Sequence, residues 1–283
     1  MEKIARILTM QALKECPGNY DGVILGHENC PLFYRQSNID EMIRFAIEHG
    51  LSVEVNIPVL FEQYLQEFKD EAKRLIKEYT QIKLIVNDWG LLWALHKDMP
   101  ELNFTAGKGI SFTYGDNPWN EHILYAEKQK YQQALKSVNM ENPDTIAQLI
   151  ELGVNEIEMS DLENSSSSYE NLHNKGFIVT VNKGLRIATM SRACHCLRFT
   201  DHVNEMGKCI DYCTKETVLS IKRFYNMAES VHQDISAETK AIQPDMIVHA
   251  NITMVIDLDH AAKNRSCIDK LVYDERIKKY LSD

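Results

Sequence analysis

Residues 51–86 read LSVEVNIPVLFEQYLQEFKDEAKRLIKEYTQIKLIV, and this stretch decides the fold class. Residues 51–57 alternate apolar and polar side chains, as a strand does. Phe61, Tyr64, Leu65, Phe68, Ala72, Leu75, Ile76 and Tyr79 recur at the helical period and place one apolar face on a helix over residues 61–79. Residues 82–86 form a second short apolar run. Strand, helix and strand follow one another with no long connection.

The same rhythm extends both ways. Upstream, residues 22–26 (Gly-Val-Ile-Leu-Gly) read as a buried strand, and residues 39–49 as a helix stopped by Gly50. Downstream, a helix starts at residues 91–96 and a short strand covers 103–106. Residues 111–141 break the pattern; this aromatic and charged insertion is expected to hold a helix from about Asn120 to Ser137. A helix over 143–152 and a strand over 154–159 resume the rhythm. Residues 163–168, with four consecutive serines, read as a polar loop. Strands are expected at 177–181 and 185–189, and a helix at 216–228 with Val218, Ile221, Tyr225 and Ala228 spaced for burial. Residues 246–256 are one strand-like run rich in β-branched side chains, and residues 266–281 read as a last helix.

Strands separated by helices predict a parallel sheet covered by helices. About eight such units in one chain favour an α/β fold with a single β/α barrel, TIM-like and possibly incomplete, over residues 1–283. The expected additions are a cysteine-rich cluster loop, the insertion at about 111–141 and a C-terminal extension at about 214–283. A doubly wound open sheet is the alternative.

Composition is that of a globular protein, 44% hydrophobic and 25% charged. The net charge of −10 disfavours a sequence-independent grip on nucleic acid, because that grip comes from phosphate neutralisation. No apolar run reaches the length of a membrane span, and the first residues lack a signal-peptide core. A cytoplasmic location is expected.

Seven cysteines in a reducing compartment need a reason. Cys16 and Cys267 stand alone and read as ordinary thiols. Cys194, Cys196, Cys209 and Cys213 lie within 20 positions, a density that favours soft-metal ligation over inert thiols. Zinc could take these four as a self-contained tetrahedral site. A four-iron, four-sulfur cluster also wants four cysteines, and one of them can come from far away. Cys30 suits that distant role. It follows the strand at 22–26, Cys196 follows the strand at 185–189, and loops after barrel strands gather at one face.

His27 and Glu28 sit beside Cys30 and are candidates for substrate contact or for hydrogen bonds to a cluster, against the plainer reading of a polar loop. Asn87, Asp88, Ser160 and Asp161 also follow expected strands, although each suits a helix N-cap. Arg192 and Arg198 flank the cysteines and could offset cluster charge or bind a carboxylate. His195 and His202 read as solvated loop histidines sooner than as ligands. No Gly-x-Ser-x-Gly or His-Glu-x-x-His occurs, so nothing supports a serine hydrolase or a zinc peptidase.

Three places resemble the collagenase-like peptidase family, in the branch that holds the ubiquinone-biosynthesis proteins UbiU and UbiV. The first is a strand ending in Gly26 with Cys30 four residues on. The second is Asn87-Asp88-x-Gly90 together with Phe104-Thr105-Ala106-Gly107. The third is Ser191-Arg192-x-Cys194-x-Cys196 with Cys209 and Cys213 spaced 13 and 4 residues further on, a spacing similar to that of the UbiV cluster cysteines. The resemblance covers about residues 20–215. It implies a barrel-like fold and a four-iron, four-sulfur cluster on Cys30, Cys196, Cys209 and Cys213, with Cys194 as an alternate ligand. It also implies a part in oxygen-independent hydroxylation of a small molecule, beside a UbiU-like partner subunit. Cys194 is an additional thiol, the 111–141 insertion has no counterpart, and the chain after about Glu216 departs from the pattern. A metal-stabilised binding subunit without chemistry of its own is the alternative, and an RNA-modifying or peptidase-like relative a further one.

Overall fold

The computed structural model describes residues 1–112, 137–162, 165–192, 194–195, 217–219, 246–256 and 265–278. Eight parallel strands close into a barrel: β1 (Glu2–Ile7), β2 (Gly22–Leu25), β3 (Ser52–Ile57), β4 (Lys83–Val86), β5 (Phe104–Ala106), β6 (Val154–Ser160), β7 (Ile178–Lys183) and β12 (Lys270–Asp274). β12 pairs with both β7 and β1, so the sheet is closed and the open-sheet alternative falls. Helices α1 (Met10–Leu13), α2 (Pro31–Gln36), α3 (Ile39–Glu48), α4 (Glu62–Glu78), α5 (Trp89–Asp98), α6 (Pro143–Glu151), α7 (Ser166–Asn174) and α8 (Glu275–Lys278) lie between or after the strands. Between β7 and β12 the chain builds a separate antiparallel sheet from β8 (Leu185–Met190), β9 (Thr217–Leu219), β10 (Met246–His249) and β11 (Ile252–Ile256). Among the described residues no helix is long and apolar enough to cross a membrane.

The helices form where the periodicity places them. α3 buries Ile39, Met42, Ile43 and Ala46 and stops at Gly50, whose φ of +72° suits a residue without Cβ. α4 buries Tyr64, Phe68, Ala72 and Leu75 against the barrel, while Phe61, Leu65 and Ile76 pack at its margin. α5 is capped by Asp88, whose carboxylate accepts from the Gly90 and Leu91 amides.

The inside of the barrel is unlike its outside. Contacts between strands that are not neighbours identify the side chains pointing inward. Near the N-terminal end, Lys270 of β12 reaches Glu54 of β3 at 2.5 Å and Glu156 of β6 at 2.8 Å. Above them Ile4, Ile24, Ile85 and Val272 form a small apolar layer. Towards the C-terminal end, Arg6 of β1 pairs with Glu158 of β6 at 2.5 Å and approaches Asp274 of β12 at 3.5 Å. Both faces of β3 are therefore buried, with Glu54 and Asn56 alternating among apolar neighbours. A barrel interior normally fills with branched apolar side chains; here one such layer separates two charged ones.

Several expectations are corrected. The serine run is no loop: Ser165 is the N-cap residue, without a side-chain cap bond, and Ser166 to Ser168 begin α7. The strand at 185–189 is β8, which belongs to the antiparallel sheet and not to the barrel. The start of the helix expected at 216–228 is strand β9, with Val218 exposed; the rest of it lies outside the described residues. Residues 246–256 are two strands joined at Ala250 and Asn251. The segment read as a last helix supplies β12, whose inward positions Lys270, Val272 and Asp274 hide its strand character under charge. The helix expected at 120–137 falls almost wholly outside the described residues. The two ends of that insertion lie side by side, with the Asn139 amide donating to the Phe112 carbonyl at 3.0 Å.

Burial, reinforced by Glu156 and opposed by Lys270, pushes the Glu54 carboxyl up to about 7. The folded protein thus holds this proton more tightly than the unfolded chain, whose glutamates titrate near 4.5. The contribution of Glu54 to stability is full at acid pH and is lost as pH rises from 4.5 through about 7. Glu54→Gln, which stays neutral, is expected to raise the melting temperature relative to wild type more at about pH 8 than at about pH 5. Thermal melts at the two pH values check this, and an equal difference at both would refute it.

Candidate metal centre at the barrel mouth

The first wall of the site is the turn after β2. Gly26 has a φ of +86°, and a Cβ there would sit 2.7 Å from the Asn56 carbonyl oxygen, so only glycine fits. The chain then runs through His27, Glu28 and Asn29 to Cys30, the N-cap residue of α2, with Pro31 following. The second wall comes from the antiparallel sheet. Cys30, Cys194 and Ala250 form one buried cluster, bordered by Leu32, Phe33 and Phe61. Two cysteines more than 160 residues apart in sequence are therefore buried in one apolar cluster at the C-terminal face of the barrel.

The apolar recess suits a soft centre held by thiolates, which gains little from water. Cys196, Cys209, Cys213, Arg198 and His202 lie outside the described residues. Among the described residues, no group of three or more His, Cys, Asp and Glu side chains gathers around a point.

Cys194 is tied to the hairpin between β10 and β11. Its Sγ donates to the Ala250 carbonyl at 3.5 Å, and the His195 amide donates to the same oxygen at 2.8 Å. Three rings line the approach: His27 lies 5.1 Å from Phe33, which stacks on His249 at 4.9 Å. Burial lowers the His27 imidazole to about 4, with Glu28 opposing, so it stands neutral near neutral pH.

Glu28 is anchored inward. Its carboxylate pairs with Arg276 at 2.7 Å and approaches Arg6 at 3.6 Å. Burial alone would raise its pKa, but the two guanidinium groups outweigh burial and hold it at about 2. Glu28 is thus a fixed anion beneath the site. Asn87 is also internal: its Nδ2 donates to Asn56 Oδ1 at 2.6 Å and to the Ile57 carbonyl at 2.8 Å, and its Oδ1 accepts from the Gly109 amide at 3.0 Å. Asp88 caps α5 and pairs with Arg192 at 3.1 Å, which brings two expected site residues together. Ser160 accepts from Lys108 at 2.8 Å and Asp161 pairs with Arg265 at 2.9 Å, so neither acts as a helix cap.

Sequence reasoning missed Arg6, Glu158, Asn182, Asp274 and Arg276, which make up the charged layer under the mouth. It also missed Asn251. The available signals were weak: an Ala-Asn pair inside a β-branched run marks a turn, and Lys270 to Asp274 carries charge at both ends of a five-residue strand.

No family model and no curated protein matches this chain. One solved structure, "The Structure of the U32 Peptidase Mk0906", is similar at 10% identity with a TM-score of 0.47, over 97% of this chain and 92% of that one.

Arg276 donates to Asp274 at 2.6 Å and 2.9 Å and pairs with Glu28, all within the interior. Removing one partner of a buried ion pair strands the others, at a cost of about 3–5 kcal/mol. Arg276→Met is expected to lose about that much in urea unfolding. A loss below about 1 kcal/mol would show that the layer is not held by its charges.

Proposed function

We propose that this chain is an iron–sulfur protein of the UbiV-like kind, within the collagenase-like peptidase family. It would work as one subunit, with a UbiU-like partner, in the oxygen-independent hydroxylation of a small molecule. The observation that carries the reading is the meeting of Cys30 and Cys194 in one buried, apolar cluster at the face where barrel loops converge.

The residues to hold the group are Cys30, Cys196, Cys209 and Cys213. When bound, a four-iron, four-sulfur cluster supplies one-electron transfer. Cys194 is better suited to remain a thiol, because its contact with the Ala250 carbonyl needs the proton on sulfur. Phe33, Phe61 and Leu32 keep water from the thiols, and the neutral His27 ring forms part of the approach.

A zinc-stabilised binding subunit without chemistry of its own is the second reading. It is favoured by the burial of Cys194 at the same place, since the contiguous set Cys194, Cys196, Cys209 and Cys213 includes it. Anoxic purification followed by iron, sulfide and zinc analysis separates the two. A brown protein with about four irons and four sulfides per chain is expected; a colourless protein with stoichiometric zinc would sink the proposal. Cys209→Ser is expected to abolish iron binding and activity while circular dichroism stays that of the folded chain. Loss of folding alone would favour the structural reading.

A further inference from the structure

The two thiol-bearing segments do not pack on each other by chance of sequence: they hang from one side chain. Asn251, at the tip of the β10–β11 hairpin, is 1% exposed. Its Nδ2 donates to the Asn29 carbonyl at 2.7 Å and to the Ser191 carbonyl at 2.6 Å. Asn29 immediately precedes Cys30, and Ser191 opens the segment that carries Cys194 and leads to Cys196. The Asn251 carbonyl in turn accepts from the Ser191 amide at 3.0 Å. The neighbouring Ala250 carbonyl takes the His195 amide and the Cys194 thiol. Both ends of the short stretch from Ser191 to His195 are thereby tied to the hairpin tip.

Two further facts show that this tip is fitted to its place. Ala250 has a φ of +53°, a left-handed conformation that a residue with a Cβ adopts rarely and keeps only when its surroundings hold it. The Oδ1 of Asn251 is buried with no hydrogen-bond partner among the described residues, so the position uses the amide's two donors at the expense of its acceptor.

From this we infer that Asn251 is the positioning residue of the mouth site: one carboxamide donates to both thiol-bearing segments and sets the approach of Cys30 to Cys194. The antiparallel sheet then has a definite task, which is to deliver that hairpin tip over the barrel. The inference rests on the reading of the thiols as a metal centre, but its test reads the thiols directly.

Full-length protein treated with a chelator is alkylated with N-ethylmaleimide, and each cysteine is followed by mass spectrometry. Cys16, buried in the main hydrophobic cluster, serves as an internal reference for global opening. Asn251→Ala removes the amide; Asn251→Asp keeps the shape and removes both donors. Each variant is expected to raise alkylation of Cys30 and Cys194 at least about tenfold, roughly the factor that one lost buried hydrogen bond is worth, with Cys16 unchanged. No rise, a parallel rise at Cys16, or an Asn251→Asp protein as protected as wild type would each overturn the inference. Anoxic reconstitution of the wild type with iron and sulfide is run alongside. A wild type that takes up neither overturns the iron–sulfur reading, while the alkylation result still decides the role of Asn251.

Discussion

One guanidinium organises the C-terminal half of this barrel. Arg6 lies inside the closed sheet with almost no exposure, and carboxylates from β6, β12 and the loop after β2 surround it. A buried charge of this kind is tolerable only when its partners are in place. Glu158, Asp274 and Glu28 must therefore hold their positions, and Arg276 is needed to balance them. Because Glu28 is fixed in this way, so is the turn from Gly26 to Cys30.

The mouth above this layer is assembled from two sources. The barrel contributes the loop with Cys30 and the capped start of α5. The antiparallel sheet contributes a hairpin tip and the segment with Cys194. The Arg192–Asp88 pair and the Asn251 bonds join them. The thiols come from loops, as functional groups often do, while rigid elements on both sides set the position of those loops. The charged layer keeps the floor of the site polar and fixed, whereas the thiols themselves sit in an apolar recess bounded by Phe33 and Phe61. That division suits a group held by soft ligands over a rigid base.

Much of the fold was legible because periodicity reports burial. α3 and α4 show a clean apolar stripe, and β2 through β7 fall close to where apolar runs place them. The misreading of β12 has one cause. Period and composition assume that buried means apolar, and this barrel buries charge. Lys270 to Asp274 falls in a segment that reads as a helix, yet closes the barrel, because Lys270 and Asp274 find partners on strands distant in sequence. The Ala250–Asn251 turn was hidden for a different reason: one Ala-Asn pair is a weak turn signal inside a run of β-branched residues that otherwise reads as a single strand.

The sequence by itself determined the class of fold, since alternating strands and amphipathic helices can bury their faces only as helices packed on a parallel sheet. It also singled out the thiols, because four of them crowd within 20 positions. Only the tertiary structure decided which strand closes the barrel, that Glu28 and Asn87 serve the frame, and that Cys30 and Cys194 share one buried cluster with Ala250 of a hairpin tip. The reason is physical. Periodicity records whether a side chain meets water or protein, a local property. Ion pairing across a barrel and contact between loops depend on which segments become neighbours, and chain closure settles that.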